Sequence, residues 1–179
     1  MTNINPNIFR AYDIRGTADP TSEKPNPDLT PETVKIIGQA TATYLIQKYH
    51  FQSLAIGCDN RTHSQILQKA FIEGVLSTGL KVTNIGLATS PLTYFASCLP
   101  KYDCAVNITA SHNPKQDNGI KISGKNAAPI ANQEIQEILH IIQNNTFLTD
   151  PNSNILQEDI TIFEQYLKHI KSITNLKRP

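Results

Sequence analysis

Ser111 and His112 stand side by side, and a serine beside an imidazole can accept or pass on a reacting group. They lie within Thr109-Ala110-Ser111-His112-Asn113-Pro114. An apolar run, Cys104-Ala105-Val106-Asn107-Ile108, leads into them. A polar turn follows, from Pro114 to Gly119, and then a second short apolar run, Ile120-Lys121-Ile122. This pattern predicts a strand that delivers the pair to a tight turn. The strand fixes the serine and the turn exposes its hydroxyl. Asn113-Pro114 and Asn118-Gly119 are both turn pairs. A plain strand–turn–strand connection, with Ser111 capping a backbone group, gives the same local pattern. A Ser-His hydrolase would want a third triad member and a G-x-S-x-G elbow, and neither is evident here.

The elements that must position the pair can be read along the chain. Residues 7–16 read as an extended segment ending at Gly16, and residues 17–30, with Pro20, Pro25 and Pro27, as a loop. Thr30-Pro31-Glu32 starts a helix, with Thr30 as N-cap and Pro31 at the first helical position. Val34, Ile37, Thr41, Tyr44 and Leu45 recur at helical spacing, so the helix should run to about Tyr49. Ser53–Gly57 is a short buried strand with Asp59 and Arg61 at its C-terminal end. Thr62-His63-Ser64-Gln65 resembles a capping box for a helix that stops near Gly79. Lys81–Leu87 is the next strand, and Ser90-Pro91 opens another helix. The strand at 104–109 and the serine turn follow.

Strand, helix, strand, helix, strand implies a largely parallel sheet with helices on its faces. In such sheets the loops after the strands' C-terminal ends build the site. Asp59, Arg61, Ser111 and His112 all sit at such ends. A further helix is expected from about Asn132 to Asn144, a domain boundary at about 148–156, and a last helix from near Asp159 that buries Ile160, Phe163, Leu167 and Ile170.

The six residues 109–114 resemble the phosphoserine loop, T-A/G-S-H-N-P, of the α-D-phosphohexomutases, the phosphoglucomutase/phosphomannomutase family. Asn118-Gly119-Ile120-Lys121 sits where that family's N-G-x-K follows. Phe9-Arg10-Ala11-Tyr12-Asp13-Ile14-Arg15-Gly16 is similar to the opening F-R-x-Y-D-I-R-G of the phosphomannomutase/phosphoglucomutase branch. Gly57-Cys58-Asp59-Asn60-Arg61 is similar to G-x-D-x-R, with Cys58 where the family often has arginine. The resemblance runs from about Asn7 to the C-terminus.

It implies an α/β fold, a mixed, largely parallel sheet sandwiched by helices. It also implies that residues 1–150 form domain I with the phosphoserine loop, and that residues 151–179 form a linker and the first helix of a truncated second domain. The activity implied is that of an isomerase, interconverting hexose 1-phosphate and hexose 6-phosphate through a phosphoserine and a hexose 1,6-bisphosphate. Ser111, His112, Lys121 and Arg15 are the implied catalytic residues, and Tyr12, Arg15 and Lys121 the implied substrate contacts. Phosphorylated Ser111 is the one implied ligand to Mg²⁺, the remaining ligands lying outside this chain.

A phosphoserine carries nearly two negative charges, so positive charge must oppose it. Arginine hardly deprotonates, so Arg15 is expected to act by charge and hydrogen bonding, whereas Lys121 is the better acid/base candidate. Each of these side chains also has a plain structural meaning. Arg15 could pair with Asp13, Lys121 could be the outward residue of an alternating strand, and Arg61 could pair with Asp59; that meaning is kept for Arg61. His50, His63, His140 and His169 show no metal-ligand spacing and are taken as surface or capping residues.

The family's D-x-D-x-D-R, G-E-x-S-G and R-x-S-G-T loops do not occur in these 179 residues. The chain alone is therefore expected to have little or no mutase activity, and domains 2–4 are expected partners in a longer protein. Phosphoglucosamine mutase, or a non-catalytic phosphosugar- or partner-binding module, are the alternatives.

The net charge of +1 offers no electrostatic case for nucleic acid or an anionic membrane surface. No apolar run is long enough to span a bilayer. Three cysteines without a C-x-x-C pair read as reduced thiols, and the start lacks the basic and apolar regions of a signal peptide. A cytoplasmic protein is expected.

Overall fold

In the computed structural model, which describes residues 4–21, 23–150 and 155–174, the helix that follows Thr30 runs as its sequence predicts. This helix, α1, spans Pro31–Tyr49. The Thr30 hydroxyl accepts from the Thr33 N–H at 3.3 Å, and the Thr33 hydroxyl accepts from the Thr30 N–H at 2.9 Å. That reciprocal pair satisfies two of the donors a helix start leaves open. The C-terminal end is closed by His50 in the left-handed region, φ 57°.

The remaining elements are β1 (Ile14–Thr17), β2 (Ser53–Cys58), α2 (Ser64–Leu76), β3 (Lys81–Leu87), α3 (Ser90–Ser97), β4 (Cys104–Ile108), β5 (Asp117–Ser123), α4 (Gln133–Asn144), β6 (Leu156–Glu158) and α5 (Ile162–Ile173). They build one six-stranded sheet in the order β1-β5-β4-β2-β3-β6. β4, β2, β3 and β6 run parallel to one another, and β5 is antiparallel to both β4 and β1. The sheet is thus mixed and largely parallel, with helices on both faces, as expected.

Side-chain alternation divides the core between the two faces. Leu54, Ile56, Val106 and Ile108 point into the larger layer with Ile37, Phe71, Ile135 and Ile138 of α1, α2 and α4. Ala55 and Ala105 point the other way, into a smaller layer with Leu92, Ala96, Tyr102 and Ile162.

The contact of α1 with α2 is close. A Cβ added at Gly74 of α2 would overlap the Lys35 carbonyl and lie 2.8 Å from the Gln39 nitrogen. Substituting Gly74→Val should therefore push the helices apart and cost about 2–3 kcal/mol or more, read as a lower urea midpoint. A midpoint equal to wild type would mean that the interface has slack the close approach does not suggest.

Several local expectations are corrected. Residues 7–16 are not one extended segment: Pro6–Ile8 is a 3₁₀ turn, and strand structure begins only at Ile14. Asn118-Gly119 is not a turn but lies inside β5, with the turn confined to the residues before it. The capping box at Thr62–Gln65 does not form. His63 is the N-cap of α2 without a side-chain cap, because Asp59 and Asn118 claim Ser64 and His63 instead. His63 is not a surface residue but is 7% exposed.

β6 was not anticipated, and it adds a parallel edge strand beside β3. α5 packs on α3 through Phe95, whose ring lies 5.5 Å from Tyr166 and 5.3 Å from His169. It buries Ile162 and half-buries Ile170, whereas Phe163, Leu167 and, just before the helix, Ile160 are exposed. Of the expected boundary at 148–156, residues 151–154 lie outside the described residues. Cys58 and Cys104 are buried and Cys98 is exposed, all three unpaired. Among the described residues no helix is long and apolar enough to cross a membrane.

Candidate active site

Ser111 follows β4 by three residues and takes up the left-handed backbone conformation, φ 57°. A serine pays about 1 kcal/mol for that conformation, so the surrounding structure must hold it. The Ser111 N–H donates to the Thr109 hydroxyl at 2.9 Å, and that hydroxyl donates to Asp59 Oδ2 at 2.8 Å. Further along the loop, the Asn113 N–H donates to the Ala110 carbonyl and the Asp117 N–H to the Pro114 carbonyl, both at 3.1 Å. The result is an exposed Ser111 hydroxyl on a defined loop, with Ser111 Oγ 3.3 Å from His112 Nδ1.

The loop is anchored from the end of β2. Arg61 Nε donates to Asp59 Oδ2 at 3.2 Å. Nη1 donates to the carbonyls of Pro114 and Asp117 at 2.6 and 3.1 Å. Nη2 donates to those of Ser111 and Asn113 at 3.1 and 2.8 Å. Asp59 also accepts from Ser64 Oγ and, at 3.1 Å, from the Arg61 N–H. Burial alone would raise the Asp59 carboxyl, but the hydrogen bonds from Ser64, Thr109 and the Arg61 backbone, with the Arg61 charge, hold it below the ordinary aspartate value.

Under the loop lies fully buried Asn118. Its Nδ2 donates to His63 Nδ1 at 2.7 Å and to Ser64 Oγ at 2.9 Å. His63 Nδ1 is therefore an acceptor, and its Nε2 donates to the Lys115 carbonyl at 3.2 Å. Next to Asn118, Gly119 pairs with Arg15 across the β1–β5 ladder. A Cβ at Gly119 would come within 2.7 Å of the Ile14 carbonyl and 3.0 Å of the Thr109 carbonyl. The missing side chain is what lets β1 bring Arg15 close to the serine loop.

Arg15 and Lys121 gather around one carboxylate. Arg15 Nη2 donates to Asp13 Oδ2 at 2.5 Å and Nη1 donates to Asn113 Oδ1 at 2.7 Å. Lys121 Nζ stands 3.8 Å from the same Asp13 oxygen. Lys121 and Arg15 thus share one carboxylate oxygen. The Arg15 Nε–H is buried without an acceptor among the described residues. Tyr12, two residues before β1, is 67% exposed.

The structure thus joins Arg15 to the serine loop through Asn113, puts Lys121 on Arg15's carboxylate, and leaves Tyr12 open to solvent. Sequence reasoning missed the hold of Arg61 on four carbonyls and the buried roles of His63 and Asn118. The G-x-D-x-R spacing at a strand end was the available signal for Arg61.

A cleft of about 1130 Å³ opens at the C-terminal ends of β2, β3 and β4. Ser111, Asn113, Asp59 and Arg61 line it together with Cys58, Thr89 and Ser90. Burial, helped by the Asp59 charge, pushes the Cys58 thiol up to about 11, so it faces the cleft as a neutral thiol at pH 7. Among the described residues no cluster of three or more His, Cys, Asp or Glu side chains is gathered to hold a metal ion. Of the carboxylates around the serine loop, Asp59 is engaged by Arg61, Ser64 and Thr109, Asp13 by Arg15, and Asp117 by Asn113 at 3.0 Å, while Asp19 lines the same cleft half exposed, 3.8 Å from His63 Nε2. Mg²⁺ wants several oxygen ligands, and the described residues do not make up such a site.

Residues 6–149 match the family described as phosphoglucomutase/phosphomannomutase, alpha/beta/alpha domain I. The phosphoglucomutase of Neisseria meningitidis serogroup B is 34% identical over 180 residues, covering 100% of this chain and 37% of that protein. A Pyrococcus horikoshii protein named "Probable phosphoglucosamine mutase" is 39% identical over 142 residues, 79% of this chain and 30% of its own length. A solved phosphoglucomutase/phosphomannomutase family protein from Burkholderia thailandensis superposes with a TM-score of 0.85 at 27% identity, covering 99% of this chain and 38% of that one. The chain therefore spans between about a quarter and little more than a third of the length of the curated relatives it matches.

Proposed function

The chain belongs to the phosphoglucomutase/phosphomannomutase family as its domain I, and from that premise we propose that Ser111 is the phosphoryl carrier of a hexose-phosphate mutase. The observation that carries this reading is the exposed Ser111 hydroxyl on a left-handed loop residue, with Arg15 hydrogen-bonded to the same loop. In the forward half-reaction a sugar hydroxyl attacks the phosphorus of phosphoserine. The new sugar O–P bond forms, the Ser111 O–P bond breaks, and the attacking hydroxyl gives up its proton. The hexose 1,6-bisphosphate so formed turns over, and the Ser111 oxygen takes the other phosphoryl group back.

Each local group has a part in this. Arg15 supplies fixed positive charge, and its buried Nε–H without an acceptor is consistent with a surrounding built for an anion. Lys121, 3.8 Å from Asp13, takes the proton of the attacking sugar hydroxyl and gives one back in the reverse half-reaction. His112, within reach of Ser111 Oγ, adds a donor at the serine oxygen as it regains charge. Tyr12 is exposed and free to meet the sugar. Phosphorylated Ser111 would give Mg²⁺ one of its several oxygen ligands. The ion's remaining ligands, the other substrate contacts and domains 2–4 would come from the rest of a longer protein in the cytoplasm. The 39% identity to the Pyrococcus protein keeps an amino-sugar phosphate as the second candidate substrate.

The test is peptide mapping across Ser111 in protein from its native source, paired with a mutase assay of the 179-residue chain on hexose phosphate with Mg²⁺. A phosphoryl group at Ser111 and negligible turnover by the chain alone are expected. An unmodified Ser111 that stays unmodified after incubation with hexose 1,6-bisphosphate would sink the carrier assignment, and turnover near that of a complete mutase would refute the need for further domains.

A further inference from the structure

Arg61 stands at the serine loop with all its donors committed. A guanidinium has five N–H bonds in a rigid fork. Here every one has an acceptor: Asp59 Oδ2 and the carbonyls of Ser111, Asn113, Pro114 and Asp117. Its side chain is 14% exposed. An arginine so saturated has no N–H left for a substrate or a phosphoserine. What it does instead is collect carbonyls from both sides of the turn, including that of Ser111, the residue with φ 57°.

We propose that Arg61, oriented by Asp59, is the positioning residue that holds Ser111 in its left-handed conformation and thereby aims its hydroxyl. A lysine cannot replace it. An ammonium donates from a single atom and cannot serve carbonyls in two directions while also meeting Asp59. The use of the aimed hydroxyl rests on the carrier reading above; the hold on the loop does not. Arg61 thus differs in kind from Arg15, whose Nε–H is still without an acceptor.

The test is residue-resolved amide exchange and NMR on the 179-residue chain, comparing wild type with Arg61→Lys and Arg61→Ala. In both variants the Ser111, Asn113 and Asp117 amides should exchange at least tenfold faster. The strong intraresidue amide–Hα cross-peak that marks positive φ at Ser111 should weaken. Amides in β2 and β4, such as Ile56 and Val106, should keep wild-type protection. Loop amides and cross-peak unchanged in Arg61→Lys would overturn the assignment. Loss of protection throughout the sheet would overturn it too, because Arg61 would then be a general prop of the fold. In parallel, with domains 2–4 present, phosphoryl uptake at Ser111 from hexose 1,6-bisphosphate should slow at least tenfold in Arg61→Lys. Wild-type uptake with an unslowed variant counts against the aiming role. No uptake by wild type counts against the carrier reading alone, since the exchange experiment still decides the hold on the loop.

Discussion

With domains 2–4 present, Ser111→Ala is expected to abolish phosphoryl uptake from hexose 1,6-bisphosphate, leaving the intact mass of the protein unchanged where wild type gains one phosphoryl group. The hydroxyl is the only part of the side chain the reaction needs, and removing it deletes the acceptor atom. The fold should survive, because Ser111 is exposed and its backbone bonds to Thr109 and Arg61 do not use the side chain. Ser111→Gly separates the two demands on this position. Glycine enters the left-handed region without a Cβ penalty, so the glycine variant should be about 1 kcal/mol more stable than the alanine variant while equally inert. Thermal melts of the pair check the stability half. Residual uptake in either variant would move the carrier to another side chain.

The second large effect belongs to Asp59. Asp59→Ala leaves the donors of Ser64, Thr109 and Arg61 without their acceptor and the Arg61 charge without its partner. Breaking a largely buried, multiply bonded pair of this kind costs about 3 kcal/mol, to be read from urea midpoints. The pH dependence has a definite sign. The folded-state carboxyl titrates below its unfolded value, so the stability it contributes is complete above about pH 4 and drains away as the pH falls through the lower folded value. Asp59→Asn keeps the shape but not the charge, so its stability should fall less between about pH 4 and pH 2 than that of wild type. An alanine variant within about 0.5 kcal/mol of wild type would mean that water replaces the carboxylate at little cost.

What the sequence reveals here depends on how far apart the interacting residues lie. α1 is legible because its start and its periodicity are local: Thr30, Pro31 and the apolar recurrence from Val34 sit within a few turns of one another. β4 and the serine turn are legible for the same reason. The burial of His63 is not, because its partner Asn118 is 55 residues away and an N-cap beside a serine also suits the surface. Arg61 is half legible. Its spacing from Asp59 suggests an ion pair, but four of its five partners are backbone carbonyls, which every residue type possesses. The left-handed backbone at Ser111 has no local signature, since the residue that would announce it is glycine. For α5 the periodicity correctly predicts an amphipathic helix, yet it cannot say how much of the apolar stripe the chain itself covers.

β6 is three residues long, polar in two of them, and stands at the edge of the sheet beside the seven-residue β3. A short edge strand offers little unpaired backbone to another chain, which is a common guard against edge-to-edge aggregation. The family match ends at residue 149, before β6 begins. A protein trimmed at that limit would lose this guard, and with it the Ile155 carbonyl that now accepts from the Val82 N–H, and would bare the backbone edge of β3 around Val82 and Asn84. The trimmed domain would then be prone to strand addition and fibrous self-association, although its serine loop at the opposite half of the sheet would be untouched.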